Sequence, residues 1–404
     1  MNEVSNKLLI KKITVAASSA SKSAGAAFSA LWTFPAIVFA AMIIAWAAEA
    51  AQFFISQGMA LAVLAWLQTL PEFAVEAVIA WEAGKDPEKI HLVTANFTGS
   101  LRLLVGLAWP MIYATAAFFY RRKNGGSSGP LREIALEDEH SVEITGLLLP
   151  IIYFFIIYFK GTLTFIDSFV LSFFYFLYLF FLNKIPPKDA EEAEDLDYVP
   201  RKILEFKPFL RNISIAGLFL LGGGIIYFVA EPFFHSMLSL AITLGVSQFI
   251  FVQWVAPFLS EFPEKVSAFY WAKKITKAPM ALMNMVSSNI NQWTVLVAMI
   301  PFVYSLSRGE ISSLVFDNHQ RSEILLTIAQ SLLGFVLLSN MKFSWYEAAG
   351  LFCLWLIQFV VPSIREEITW IYFSWIGLEL LLVLLRRRRL QSFNLFFLLC
   401  KRHF

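Results

Sequence analysis

The residues most able to do chemistry in this sequence are glutamates placed where a charge is costly. In "LQTLPEFAVEAV", residues 67–78, Glu72 follows Pro71 within an apolar run and Glu76 stands four residues on. In "FLSEFPEKVSAF", residues 258–269, Glu264 follows Pro263 in the same way. A carboxylate near a bilayer centre costs about 2.5–3.5 kcal/mol on insertion scales, and proline removes a helical hydrogen bond. Two such choices at adjacent positions, made twice, point to a site. Carbonyls released by the prolines, together with carboxylates and hydroxyls, are hard oxygen ligands, of which Ca2+ gathers about six to eight. Two facing glutamates repel unless a cation or proton sits between them, and together they neutralise one divalent ion. Glu72 and Glu264 are therefore the predicted metal-binding pair. The alternative is a structural ion pair with Arg102 or Lys265. Glu76 lies one helical turn from Glu72, where like charges disfavour each other. It is a candidate proton carrier, or a residue facing an aqueous vestibule.

The elements that hold such residues must be membrane helices. Of 404 residues, 58% are hydrophobic and only 15% charged, where a soluble chain carries about 25% charge. Apolar stretches of about 20 residues, enough to cross about 30 Å of hydrocarbon, recur along the chain. We read spans at 31–56, 57–83, 92–120, 143–160, 162–183, 212–232, 237–271, 279–306, 323–341, 344–362 and 367–385. The runs are continuous rather than alternating, which excludes a transmembrane β-barrel. Residues 121–143, containing "NGGSSGP", predict a flexible loop. Residues 184–211, with "KDAEEAEDLD", predict a charged linker between two sets of five spans, 31–183 and 212–362. Residues 1–30 read as an amphipathic segment rather than a signal peptide, and 363–404 as an extra transmembrane helix with a basic tail. The basic loops at Arg121, Arg122, Lys123, Lys273, Lys274, Lys277 and Arg386–Arg389 put the linker on the cytoplasmic side.

The two sets resemble each other. After each Pro-Glu comes a polar cluster, "ANFTGSLRLL" then "MNMVSSNINQ", which aligns Asn96 and Ser100 with Asn284 and Ser288. The last spans, "GTLTFIDSFVLSFFYFLYLFF" and "MKFSWYEAAGLFCLWLIQFVV", put Asp167 opposite Glu347. With an odd number of spans per copy, the copies must insert in opposite directions. That is the inverted-repeat plan of secondary transporters, whose sites lie near the midplane on broken helices.

On these residues the chain resembles the calcium/cation antiporter superfamily, the sodium/calcium exchangers, whose repeats read G-T-S-x-P-E and G-N-x-x-G-S-N-x-x-N. The resemblance spans 31–362. It implies an all-α membrane fold of two inverted five-helix repeats, here with one extra C-terminal helix. It also implies that Glu72 and Glu264 are the paired ion-binding carboxylates. Gln68 and Thr69 stand at the first Thr-Ser, Ser260 and Glu261 at the second, Ser100 and Ser288 at the motif serines, and Gln292 four residues past Ser288. The first repeat has Leu104 where Gln292 stands, with the candidate charge-balancing Arg102 two residues earlier. Glu261 replaces a neutral hydroxyl, and Glu76 a small polar residue. The implied function is secondary-active antiport of Ca2+ or another cation against Na+. The alternatives are cation/proton antiport, or a non-transporting membrane protein with a degenerate ion site. Neither enzyme activity nor a cofactor is implied. The expected partners are inorganic cations and the lipid bilayer of a prokaryotic cell, not nucleic acid.

The remaining polar residues suggest less. Glu49 and Glu231 both close a span with "AE", at unequal distances from the Pro-Glu pairs. Asp167 and Glu347 read as interfacial. The five histidines show no metal-ligand spacing, and Cys353 and Cys400 suit neither a metal site nor a disulfide.

Overall fold

A computed structural model describes residues 27–54, 66–123, 129–185, 193 and 196–403. Most of the N-terminal segment, the start of the second predicted span and part of the acidic linker lie outside the described residues. Among the described residues, eight helices are long and apolar enough to cross a membrane.

The first half contains α1 (Ala30–Ala51), α2 (Leu70–Lys85), α3 (Ile90–Leu103), α4 (Trp109–Lys123), α5 (Ser141–Lys160) and α6 (Phe165–Lys184). The second contains α7 (Pro208–Thr243), α8 (Gln248–Ser260), α9 (Phe262–Lys273), α10 (Ala278–Asn291), α11 (Val297–Arg308), α12 (Asn318–Leu338) and α13 (Trp345–Val360). Then come α14 (Arg365–Leu384) and α15 (Gln391–His403). The spans expected at 212–232 and 237–271 divide differently. α7 is one helix of 36 residues that continues through Pro232. The chain turns after it at Gly245, whose φ of +67° is open to a residue without a Cβ. The loop expected at 121–143 also carries structure, since β1 (Glu133–Ala135) lies within it.

Two small antiparallel ladders show how the halves relate. β1 precedes α5 and pairs with β4 (Lys342–Ser344), which precedes α13. β2 (Thr162–Leu163) follows α5 and pairs with β3 (Leu314–Val315), which precedes α12. β1 and β3 are equivalent in the two halves, yet they lie at opposite ends of α5. α5 and its counterpart α12 therefore start from opposite ends, and the halves are inverted copies. Each ladder joins one half to the other.

Local sequence explains the last helix of each half. Thr164 with Asp167 and Ser344 with Glu347 form capping boxes that start α6 and α13, satisfying orphan N–H groups at the helix ends. Both acids stand in the first turn of their helices and are packed inside the protein, Asp167 1% and Glu347 0% exposed. Asp167 is also paired with Lys160 at 2.6 Å, and Glu347 with Arg388 at 3.2 Å.

Candidate cation site

Helix breaks position the Pro-Glu carboxylates. A turn of helix at 66–68 stops at Thr69 (φ −86°, ψ −3°), and α2 begins with Pro71 in its first turn. In the second half α8 stops at Ser260, Glu261 takes φ −96°, ψ 7°, and α9 begins with Pro263 in its first turn. Thr69 and Glu261 stand three residues before Glu72 and Glu264 respectively. Proline suits the first helical turn, where its missing N–H is an orphan anyway. The second polar motifs end in matching irregularities: a π-helical turn at Leu104–Ala108 after α3, and another at Gln292–Leu296 after α10. Such turns are frequent at functional sites. No pattern in the sequence announces them.

These four elements bring the predicted residues together. Glu72 accepts from Asn96 Nδ2 at Oε1 (2.7 Å) and from the Ser260 hydroxyl at Oε2. Asn96 Nδ2 also donates to Glu76 Oε2 at 2.7 Å. Glu264 Oε1 accepts from the Ser288 hydroxyl. Glu261 Oε1 accepts from the Ser100 hydroxyl and from Gln292 Nε2 at 2.6 Å. Its Oε2 accepts from Lys265 Nζ at 2.5 Å. Asn284 Nδ2 donates to Gln68 Oε1 at 3.3 Å. Three of these bonds, Ser260–Glu72, Ser100–Glu261 and Asn284–Gln68, cross from one half to the other. Thr69 turns its hydroxyl to the Trp66 carbonyl at 2.9 Å instead. Glu72, Glu76, Glu261 and Glu264 are all 0% exposed. Several buried acceptors nearby have no protein partner: Glu76 Oε1, Asn96 Oδ1, Glu264 Oε2, Asn284 Oδ1 and Gln292 Oε1. Buried polar atoms are normally satisfied, and these oxygens are available to a hard cation, although among the described residues no three of these carboxylates have oxygens within 4.8 Å of one another.

Two residues belong here that the sequence reading aligned but did not assign to the site. Asn96 and Asn284 align between the repeats, and that equivalence was the available signal. Lys265 was weighed only as a partner for Glu72 or Glu264, whereas it pairs with Glu261, four residues back on the same strip of chain.

Arg102 does not balance the Pro-Glu carboxylates. Its guanidinium meets Glu323 Oε2 at 2.5 Å and Gln358 Oε1 at 3.0 Å, and it lies over the Trp254 ring at 5.2 Å. Arg365, at the start of α14, holds the other Glu323 oxygen at 2.6 Å. Gln253 donates to Glu323 at 2.8 Å, and Gln330 donates to the Arg102 carbonyl at 2.9 Å. A buried network thus ties α3 to α8, α12, α13 and α14.

One histidine, His235, lies beside two acids in space. Glu231 and His235 sit four apart on α7, and with Glu82 they offer ligand atoms within 4.8 Å of one another. This cluster lies ten residues beyond Glu72 along α2, and Glu82 is already held by Lys85 at 2.9 Å and Lys89 at 3.0 Å.

Comparison with known proteins agrees with this geometry. A family model described as sodium/calcium exchanger protein matches residues 24–184 and 214–363. The crystal structure of the H+/Ca2+ exchanger CAX is 34% identical, with a TM-score of 0.83 over 93% of this chain and 92% of that one. The sodium-calcium exchanger NCX_Mj shares the fold at 20% identity and TM-score 0.53, over 85% of this chain and 99% of that one. YfkE does so at 17% identity and TM-score 0.57, over 80% and 88%. No curated protein sequence matches the chain. The molecule is an integral, multi-pass membrane protein of cation antiport, and the chain belongs to the sodium/calcium exchanger protein family.

Proposed function

We propose that this chain exchanges Ca2+ for H+, with Glu72 and Glu264 as the central ligands. The repeats 31–183 and 212–362 each contribute one of them. Gln68, Thr69, Ser100, Ser260, Ser288, Glu261 and Gln292 form the surrounding shell. The observation that carries the reading is the buried set Glu72, Glu76, Glu261 and Glu264, with Lys265 as the one cation paired to it among the described residues. Glu72 and Glu264 both lie close enough to Glu261 to repel it. Against four carboxylates and one ammonium, a single divalent ion still leaves negative charge over. When the ion departs, more is left, and like charges in a water-poor place need a proton if not a metal. Protons and Ca2+ therefore compete for the same oxygens, which is what antiport requires. The 34% identity to an H+/Ca2+ exchanger supports protons over the sodium that the motif resemblance put first.

The test is Ca2+ flux in Na+-free proteoliposomes. An imposed pH gradient should drive Ca2+ uptake with protons moving outward. Flux that requires Na+ and ignores the pH gradient would reject proton coupling and leave sodium as the counter-ion. No Ca2+ flux under either gradient would reject Ca2+ as cargo.

A further inference from the structure

We propose that Lys265 is a tethered competitor of the transported cation for Glu261. The proposal rests on the antiport reading above. Lys265 directly follows Glu264 on α9, and its side chain is only 6% exposed. Its ammonium meets Glu261 Oε2 at 2.5 Å. Glu261 Oε1 already accepts from Ser100 and from Gln292. The oxygen through which Glu261 could join a cation is thus the one that the ammonium holds. Lys265 also lies within electrostatic reach of Glu72 and Glu264, so it acts on the whole carboxylate set.

The pair is confined to one half. At the positions of Glu261 and Lys265 the first repeat has Thr69 and Phe73, both uncharged. The second repeat therefore carries an extra acid together with its own base, with no change in formal charge. An inert lock would account for the pair, but not for its place beside Glu264 or for its hold on the Glu261 oxygen that Ser100 and Gln292 leave unused. Lysine also suits displacement: it is a compact charge on a flexible four-carbon stem that can swing without moving backbone. An arriving divalent ion takes Glu261 and repels the ammonium. As the ion leaves, the ammonium returns and discourages rebinding. Lys265 thereby weakens cation affinity and speeds release.

The experiment is equilibrium binding of radioactive Ca2+ to the purified full-length protein at fixed pH, with flux measured alongside. Lys265→Gln should tighten Ca2+ binding at least about tenfold while lowering maximal flux. Glu261→Gln, which leaves the ammonium without its carboxylate, should weaken binding by a similar factor. Adding Lys265→Gln to Glu261→Gln should tighten it again. That second comparison reads the same effect without a lone buried carboxylate, should the single Lys265→Gln variant fail to fold. Unchanged or weaker binding on removal of Lys265 in these backgrounds would overturn the proposal, even if the wild type transports Ca2+. A wild-type protein that neither binds nor carries Ca2+ would overturn the antiport reading itself, and the role of the lysine with it.

Discussion

Asn96 uses a single amide nitrogen to hold two carboxylates, Glu72 and Glu76, at 2.7 Å each. Its oxygen has no protein partner. The amide both restrains the acids and adds a ligand atom beside them. Replacing Glu72 or Glu264 with glutamine keeps the shape and removes one charge from a divalent site. Ca2+ flux should fall about a hundredfold or more, equivalent to about 2.8 kcal/mol, while gel-filtration behaviour stays that of the wild type. Wild-type flux in either variant would remove these residues from the ion path. Proton competition has a definite sign: apparent Ca2+ affinity should weaken as pH falls from about 8 to about 6, measured as the half-saturating Ca2+ concentration of flux. At this scale the Pro-Glu pairs were legible because the rarity repeats. Arg102 was not, because its partner Glu323 lies 221 positions away, and no local spacing reports such a meeting.

Helix α3 reaches the site only because it packs tightly against α8. A Cβ on Gly99 would stand 1.8 Å from the Gln253 carbonyl oxygen, a backbone atom that cannot swing aside. Gly99→Ala should force the helices apart and cost about 1–3 kcal/mol, read as a lower unfolding temperature of the detergent-solubilised protein with reduced flux. The same helix is pinned through Arg102 to Glu323 and Arg365. Glu323→Gln would leave two guanidiniums facing each other and should destabilise by about 3–5 kcal/mol. An unchanged melting curve would show that the network does not hold α3. The helical content and the repeat were readable from hydrophobic run length and from the aligned motifs. The π-helical turns were not, because they arise where packing forces an extra residue into a turn. The two-residue strands were not either, being too short for an alternating pattern to register.

On the scale of the molecule, the most extensive helix contact among the described residues is between α1 of one half and α7 of the other. Gly222 of α7 lies against Ile44 and the Ala40 carbonyl, close enough that a Cβ would crowd them at 2.7 and 3.1 Å. α1 also reaches α9, where Ser267 donates to Glu49 at 3.0 Å. Once Cys353 and Cys400 are replaced by serine, a disulfide joining α1 to α7 near Ile44 and Gly222 should leave Ca2+ flux intact. A disulfide replacing the Glu49–Ser267 contact should stop flux, with recovery on reduction. The opposite pattern would mean that α1 and α7 do not travel together. The two β-ladders give this test its meaning. Each stitches one copy of the duplicated unit to the other, at opposite ends of α5. Rocking one whole copy against the other would break both ladders. If α1 and α7 slide as a pair, one helix from each copy, the seam along which this protein moves runs across the seam along which it was duplicated.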